Sequence, residues 1–245
     1  LTDDEWEWVF PQAMGWLRDH RTSRAARHIV TGLAEHDRIG AADLDELLDT
    51  GIAWLQSHSH SPQLHSTLRS LVGRADLSEA QTRRLAECGL QWISQQKTAK
   101  IWRMLGVLAE RSDLSAEQAA TVESLVVTRV SADPTAFDVS FVLEPLLTRT
   151  DVTLAQRTKA ISWSLAWLER HMPEWRSRFI LRSLLTLEDL SAAETRRVVD
   201  WSLEWLEHHT DGTAETFTVQ GAEAVLGPLL SLNLDEAQLR RLEVY

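Results

Sequence analysis

The side chains of this sequence able to do chemistry are nine histidines, one cysteine and 36 Asp and Glu set against 25 Lys and Arg. Four of the histidines recur in register: His20, His58, His171 and His209 each follow a tryptophan by four residues (Trp16, Trp54, Trp167, Trp205). A recurrent imidazole invites a metal reading, with several neutral rings converging on one ion. The spacing argues against it, because equivalent positions of a repeat stack a full repeat apart, too far for two ligands of one ion. The close pairs, "HSH" from His58 to His60 and "HH" at His208 and His209, have no cysteine or carboxylate set at metal-site spacing. A histidine in a last helical turn has a simpler role, since it meets unpaired carbonyls at the negative end of the helix dipole. The four are predicted to be caps, and no metal is expected.

Other chemistry is equally thin. The chain has no glycine-rich phosphate loop, no HExxH and no GxSxG. Cys88 stands four residues before Trp92, where a buried, inert thiol is expected. The carboxylates spread along helix faces predicted to be exposed and flank helix starts. No catalytic residue and no cofactor are predicted, so the chain reads as a non-enzyme. An enzyme would need a site in the irregular stretch TDGTAETFTVQGAEAVLG, residues 210–227.

The elements that position these side chains repeat. "WSLAWLERH" at 163–171 returns as "WSLEWLEHH" at 201–209. Anchored on the second tryptophan, the register is Trp16, Trp54, Trp92, Arg129, Trp167 and Trp205, with steps of 38, 38, 37, 38 and 38. Ser78, Ser115, Thr153 and Ser191 are each followed three residues on by Gln81, Gln118, Gln156 or Glu194, and Asp235 by Gln238. These are capping boxes, which satisfy orphan amides and start a helix. This helix A should run about 18 residues through the tryptophan. A helix B of about 12–15 residues follows, read from apolar pairs three apart such as Leu68/Leu71 and Leu181/Leu184.

Two antiparallel helices cannot cover their own apolar faces, so neighbours must stack. The predicted fold is all-α, a right-handed superhelical αα-solenoid of about six 38-residue repeats (roughly 1–37, 38–75, 76–112, 113–150, 151–188 and 189–232), with a seventh begun at 233–245, in one domain. The anchor indoles are read as packing, each reaching toward the next repeat's helix A. Trp6 and Trp8 fall on the first helix, whose outer face needs a cover. Pro145 and Pro228 are expected to kink or break their B helices.

Composition agrees with helix: 44% of residues are hydrophobic and only 10 are Gly and 6 Pro. A net charge of −11 disfavours binding to phosphate backbones and anionic membranes. The single cysteine and the lack of an 18-residue apolar run point to a reducing, cytoplasmic setting. The chain begins at Leu1 and ends inside a repeat, so it is read as part of a larger protein with further domains.

The pattern resembles the αα-hairpin solenoids of the tetratricopeptide and HEAT kind, although the period exceeds the tetratricopeptide length and that family's Gly and Tyr signature is missing. It is similar also to helical arrays of bacterial signalling NTPases of the STAND or NACHT type. Both resemblances imply a binding or sensing array without catalysis.

Partner recognition in such an array belongs to positions that share geometry but change residue. On helix B one such row is Arg27, His65, Trp102, Ser140 and Arg178; another is Thr31, Arg69, Gly106, Glu144 and Arg182. Arg27, His65, Arg69, Trp102, Arg178 and Arg182 are the predicted partner-binding residues, forming a cationic and aromatic ridge for an acidic or aromatic segment of a partner protein. The alternative is a nucleic-acid-binding array using Arg83, Arg84, Arg196, Arg197, Arg240 and Arg241 on successive A helices.

Overall fold

Ser78 opens a helix as the capping box requires: its hydroxyl accepts the Gln81 N–H at 3.3 Å, and the Gln81 side chain accepts the Ser78 N–H at 2.7 Å. The same reciprocal pair forms at Ser115/Gln118, Thr153/Gln156, Ser191/Glu194 and Asp235/Gln238. A further box at Thr2/Glu5 starts the first helix.

The structure is a computed structural model that describes residues 2–36, 38–58, 61, 64–96, 100–209, 216–232 and 234–242. Among them long and short helices alternate and no strand occurs. The long ones are α1 (Asp3–Asp19), α3 (Ala41–Ser57), α5 (Glu79–Gln95), α7 (Ala116–Ala132), α9 (Leu154–His171) and α11 (Ala192–His209), each of 17 or 18 residues. Between them lie α2 (Ala26–Ala34), α4 (Leu64–Val72), α6 (Lys100–Glu110), α8 (Ser140–Thr148), α10 (Ser177–Leu185) and α12 (Thr216–Leu230), followed by α13 (Glu236–Leu242).

The short helices α2, α4, α6, α8 and α10 have 9 to 11 residues, fewer than the 12–15 expected. Their segments carry no capping box, so the chain enters several of them through tight i→i+3 turns instead. Ala26 N–H donates to Ser23, Leu64 to Ser61, Val139 to Ala136 and Ser177 to Glu174. Neither Pro145 nor Pro228 breaks its helix. In α8 the complete burial of Val142 and Leu143 outweighs the one backbone bond that Pro145 forfeits.

The helices divide into two compact units, Leu1–Leu125 and Val126–Tyr245, with the boundary inside α7. In the first, α2, α4 and α6 pack side by side, as do α1, α3 and α5, and each long helix also packs on a short neighbour. In the second, α8, α10 and α12 adjoin in series, with α9 against α8 and α10, and α11 against α10, α12 and α13. In both units helices touch neighbours one or two places along the chain, which is how a helical repeat buries its faces.

Four of the five anchor indoles are core, with Trp54 and Trp205 1% exposed, Trp167 fully buried and Trp92 4% exposed, while Trp16 on the first helix is half-buried. Three of them also make a hydrogen bond that the sequence did not suggest. Trp54 Nε1 donates to the Ser23 carbonyl (2.8 Å), Trp167 to Ala136 (3.0 Å) and Trp205 to Glu174 (3.0 Å), in each case 31 residues back. Each of these three indoles thus anchors its N–H on the preceding hairpin's turn. Each of these turn carbonyls also accepts a backbone N–H, from Ala26, Val139 and Ser177, and takes the indole on its second lone pair. Three residues before the anchor the chain keeps a small residue in several hairpins. At Gly51 an added Cβ would lie 2.7 Å from the Leu71 side chain. On the first helix Trp6 is buried and packs against His36 with ring centroids 4.2 Å apart, while Trp8 remains exposed.

A second inter-hairpin device uses arginine. Arg74 holds Asp76 with Nε and Nη2 (2.8 and 2.5 Å) while Nη1 donates to the Ala34 and His36 carbonyls (2.9 and 2.5 Å). Arg111 does the same one hairpin later: it pairs with Asp113 and donates to the Val72 and Arg74 carbonyls at 2.7 and 2.5 Å. Arg149 pairs with Asp151 in the second unit. Each guanidinium in the first unit thereby ties its own B-to-A link to the link before it.

These pairs set an acid dependence. Arg111 holds the Asp113 carboxyl down to a pKa of about 2, with help from the Thr82 hydroxyl, and Arg74 and Arg149 lower Asp76 and Asp151. Because folding lowers these values, the stabilisation is complete above the unfolded aspartate value of ~3.9 and is lost as pH falls through that of the folded state. Urea midpoints should therefore drop between about pH 4 and pH 2, and the drop should be smaller in Asp113→Asn. A midpoint equally acid-sensitive in that variant would dismiss Asp113 as a contributor.

Candidate functional site

The recurrent histidines cap helices. Nδ1 of His20, His58 and His209 lies 2.9, 3.0 and 2.9 Å from the carbonyl of the tryptophan four residues earlier, and each ring stacks on that indole at 4.3–4.6 Å. Nδ1 carries the donated proton, since a carbonyl can only accept. His171 departs from this pattern, its Nε2 lying 2.7 Å from the Thr135 carbonyl. Among the described residues, no three His, Cys, Asp or Glu side chains are grouped to hold a metal ion. His60 lies outside the described residues, as do residues 210–215 of the irregular stretch and the side chains of 216–220.

The arginines of the nucleic-acid alternative are largely engaged with carboxylates. Arg84 pairs with Asp49, Arg197 with Glu169 and Arg241 with Glu207 on the preceding long helix, while Arg83 and Arg240 pair with Glu79 and Glu236 one turn back.

The six predicted partner-binding residues fall into two groups. Arg27 on α2, His65 and Arg69 on α4 and Trp102 on α6 stand on three adjacent short helices of the first unit. Arg69 is exposed, the other three are half-buried, and Arg69 borders a depression of about 460 Å³ with Glu35, Ser70 and Arg74. Arg178 and Arg182 stand one turn apart on α10 in the second unit. Ser140, of the same row as Arg178, is buried, its hydroxyl donating to the Phe137 carbonyl.

Around α10 the side chains form a distinct surface. The Arg178 guanidinium carbon is 4.8 Å from the Trp175 ring centroid and 4.6 Å from that of Phe179. Arg176 lies over Phe141 at 3.4 Å, with Phe137 5.7 Å away. Trp175 is 48% and Phe137 40% exposed, although both are large and apolar. Arg182 gives its charge to Glu144 at 2.7 Å, 38 residues earlier in the same row. Arg178 is left without an ion pair among the described residues, and burial, reinforced by Arg182, pushes its pKa down. The guanidinium remains charged throughout the ordinary pH range. It also lies against α12, where a Cβ on Gly221 would come within 2.5 Å of its Nη1.

No protein-family model matches the chain, no curated protein matches it, and no solved structure matches it. Its side chains have to speak for its function.

The α10 surface presents a half-buried cation, without an ion pair among the described residues, between the exposed Trp175 and the half-buried Phe179, which suits a carboxylate next to an apolar or aromatic side chain. Sequence reasoning found Arg178 and Arg182 but passed over Phe137, Phe141, Trp175, Arg176 and Phe179. The available signal was "WRSRF" at 175–179, where aromatic residues and arginines alternate at the entry to a helix. No described helix is long and apolar enough to cross a membrane.

Proposed function

We propose that this chain is a non-catalytic peptide-binding array, a right-handed αα-solenoid of about six 38-residue repeats in the tetratricopeptide or HEAT style. In this reading it is the scaffold or sensor part of a larger cytoplasmic bacterial signalling protein and takes an acidic, aromatic segment of a partner protein. The observation that carries it is Arg178: a guanidinium held between two aromatic rings, with its neighbouring acid already claimed by Arg182. The pairing of Arg83, Arg84, Arg197, Arg240 and Arg241 with carboxylates counts against the nucleic-acid alternative, since phosphate contacts need uncommitted cations.

The test is an array of immobilised peptides combining Asp or Glu with Trp or Phe. The expected result is selective retention of the protein, with affinity falling about tenfold or more in Arg178→Ala, as for loss of a charge-assisted hydrogen bond. Trp175→Ala should weaken the same peptides, and Arg240→Ala should not. Retention unchanged in both Arg178→Ala and Trp175→Ala, or no retention at all, would overturn the assignment.

A further inference from the structure

Several arginines of this chain grip an acid side-on, through Nε and Nη2, whose shared edge matches the two oxygens of a carboxylate. Arg18 holds Glu46 in this way at 2.6 and 2.8 Å, and Arg74 holds Asp76 at 2.8 and 2.5 Å. Arg111 and Arg149 repeat the grip on Asp113 and Asp151. In Arg74 and Arg111 the remaining nitrogen, Nη1, turns the other way and donates to backbone carbonyls.

Arg178 has the same posture. A Cβ added to Gly221 of α12 would stand 2.5 Å from its Nη1, 3.4 Å from Cδ and 3.5 Å from Cζ. Nη1 lies diametrically opposite the Nε–Nη2 edge of the planar group, so the gripping edge points away from α12. Trp175 and Phe179 flank the group, their ring centroids 4.8 and 4.6 Å from its carbon. Gly221 is buried, and any Cβ there would push Nη1 off its seat. The acid is what differs. Arg74, Arg111 and Arg149 each find an aspartate two residues on, whereas the residue two after Arg178 is the fully buried Ile180. Arg178 is half-buried and its nitrogens are not sealed from water, so an acid from outside can reach them.

We propose that Gly221 sets the ligand class of the α10 site: by seating Nη1 it aims the Nε–Nη2 edge of Arg178 at a carboxylate of the partner, taken side-on in two parallel hydrogen bonds. The inference rests on the peptide-binding reading of this surface and adds which group is bound and through which atoms. Gly221 is a positioning residue, acting through Arg178. A carboxamide offers one acceptor oxygen where a carboxylate offers two, so it forfeits one of the bonds. A lysine in place of Arg178 has no planar fork and forfeits the side-on geometry.

The experiment titrates the ¹⁵N-labelled chain with acetyl-Gly-Ser-Asp-Trp-Ser-amide, with the same peptide carrying Asn for Asp, and with that Asn peptide ending in a free carboxylate. The Nε–H resonance of Arg178, assigned by its loss in Arg178→Lys, is the readout. The Asp peptide should move it downfield, and the amidated Asn peptide should bind about tenfold more weakly. Tighter binding of the Asp peptide assigns a side-chain carboxylate, and tighter binding of the free-ended peptide a chain-terminal one. Gly221→Ala should shift the Arg178 resonance of the unliganded chain and weaken the Asp peptide about tenfold, with little change in the urea midpoint. Arg178→Lys should bind as poorly as Arg178→Ala, a result that does not depend on the glycine variant folding. Equal binding of the Asp and amidated Asn peptides overturns the inference, as does tighter binding in Glu215→Gln, which would put an acid of the chain itself on the fork. A loss in Arg178→Ala that neither Gly221→Ala nor Arg178→Lys reproduces would leave the peptide site standing and sink this inference alone. No binding of any peptide sinks both.

Discussion

Trp167→Ala lowers the unfolding free energy by about 4 kcal/mol, read as a large fall in the urea midpoint. The ring is fully buried, contacts His171 and Phe137 at centroid distances of 4.7 and 6.3 Å, and donates to the Ala136 carbonyl. Truncation therefore removes the largest apolar side-chain type, opens a cavity and frees a turn carbonyl at one stroke. Trp167→Phe separates the contributions, since it keeps most of the apolar area and loses the donor, at a cost of about 1–2 kcal/mol. The same substitution in the first unit gives an internal comparison. Trp54→Phe forfeits a bond to Ser23, whereas Trp92→Phe forfeits none, so Trp54→Phe should cost about 1 kcal/mol more. Equal costs at the two positions would show that the turn bond contributes nothing, and a loss under about 1 kcal/mol in Trp167→Ala would show that the indoles are not core.

Arg111→Ala has the next largest effect, about 3 kcal/mol, because it strands several partners together. The Arg111 side chain is 11% exposed and joins Asp113, the Thr82 hydroxyl and the carbonyls of Val72 and Arg74. Asp113 is partly open to water, which holds the cost at the lower end for a broken buried pair. Arg111→Lys should recover little, since one ammonium cannot span a carboxylate and two carbonyls as a planar fork does. Removing Arg18, whose pairing with Glu46 is largely exposed, should move the urea midpoint far less. A small effect of Arg111→Ala, comparable with that of Arg18→Ala, would relegate the arginine links to surface decoration.

The legible part of this protein is its local part. Ser78 with Gln81, or Thr153 with Gln156, announces a helix start because both partners lie within one turn, so no knowledge of the fold is needed. His58 and His209 were readable as caps for the same reason, their acceptor lying four residues back. The arginines at 74, 111 and 149 escaped notice although each precedes its aspartate by two. For Arg74 and Arg111 the meaning lies in carbonyls of the previous link, 37 to 40 residues away. The same distance hid the α10 surface: Phe137 and Phe141 meet Arg176 only once α8 and α10 pack together.

The amino-acid order alone thus determined the helical class of the described chain, its 38-residue rhythm, the starts of α5, α7, α9 and α11 and the burial of Trp54, Trp92, Trp167 and Trp205. These follow from hydrogen bonds and apolar periods that close within a few residues. Tertiary structure alone decided which carbonyl these indoles and guanidiniums find, that Arg182 takes Glu144 while Arg178 has no ion pair among the described residues, and that the buried Trp92 leaves its donor unused. Those outcomes depend on which groups from distant segments compete for the same acceptor, and a linear pattern carries no record of that competition.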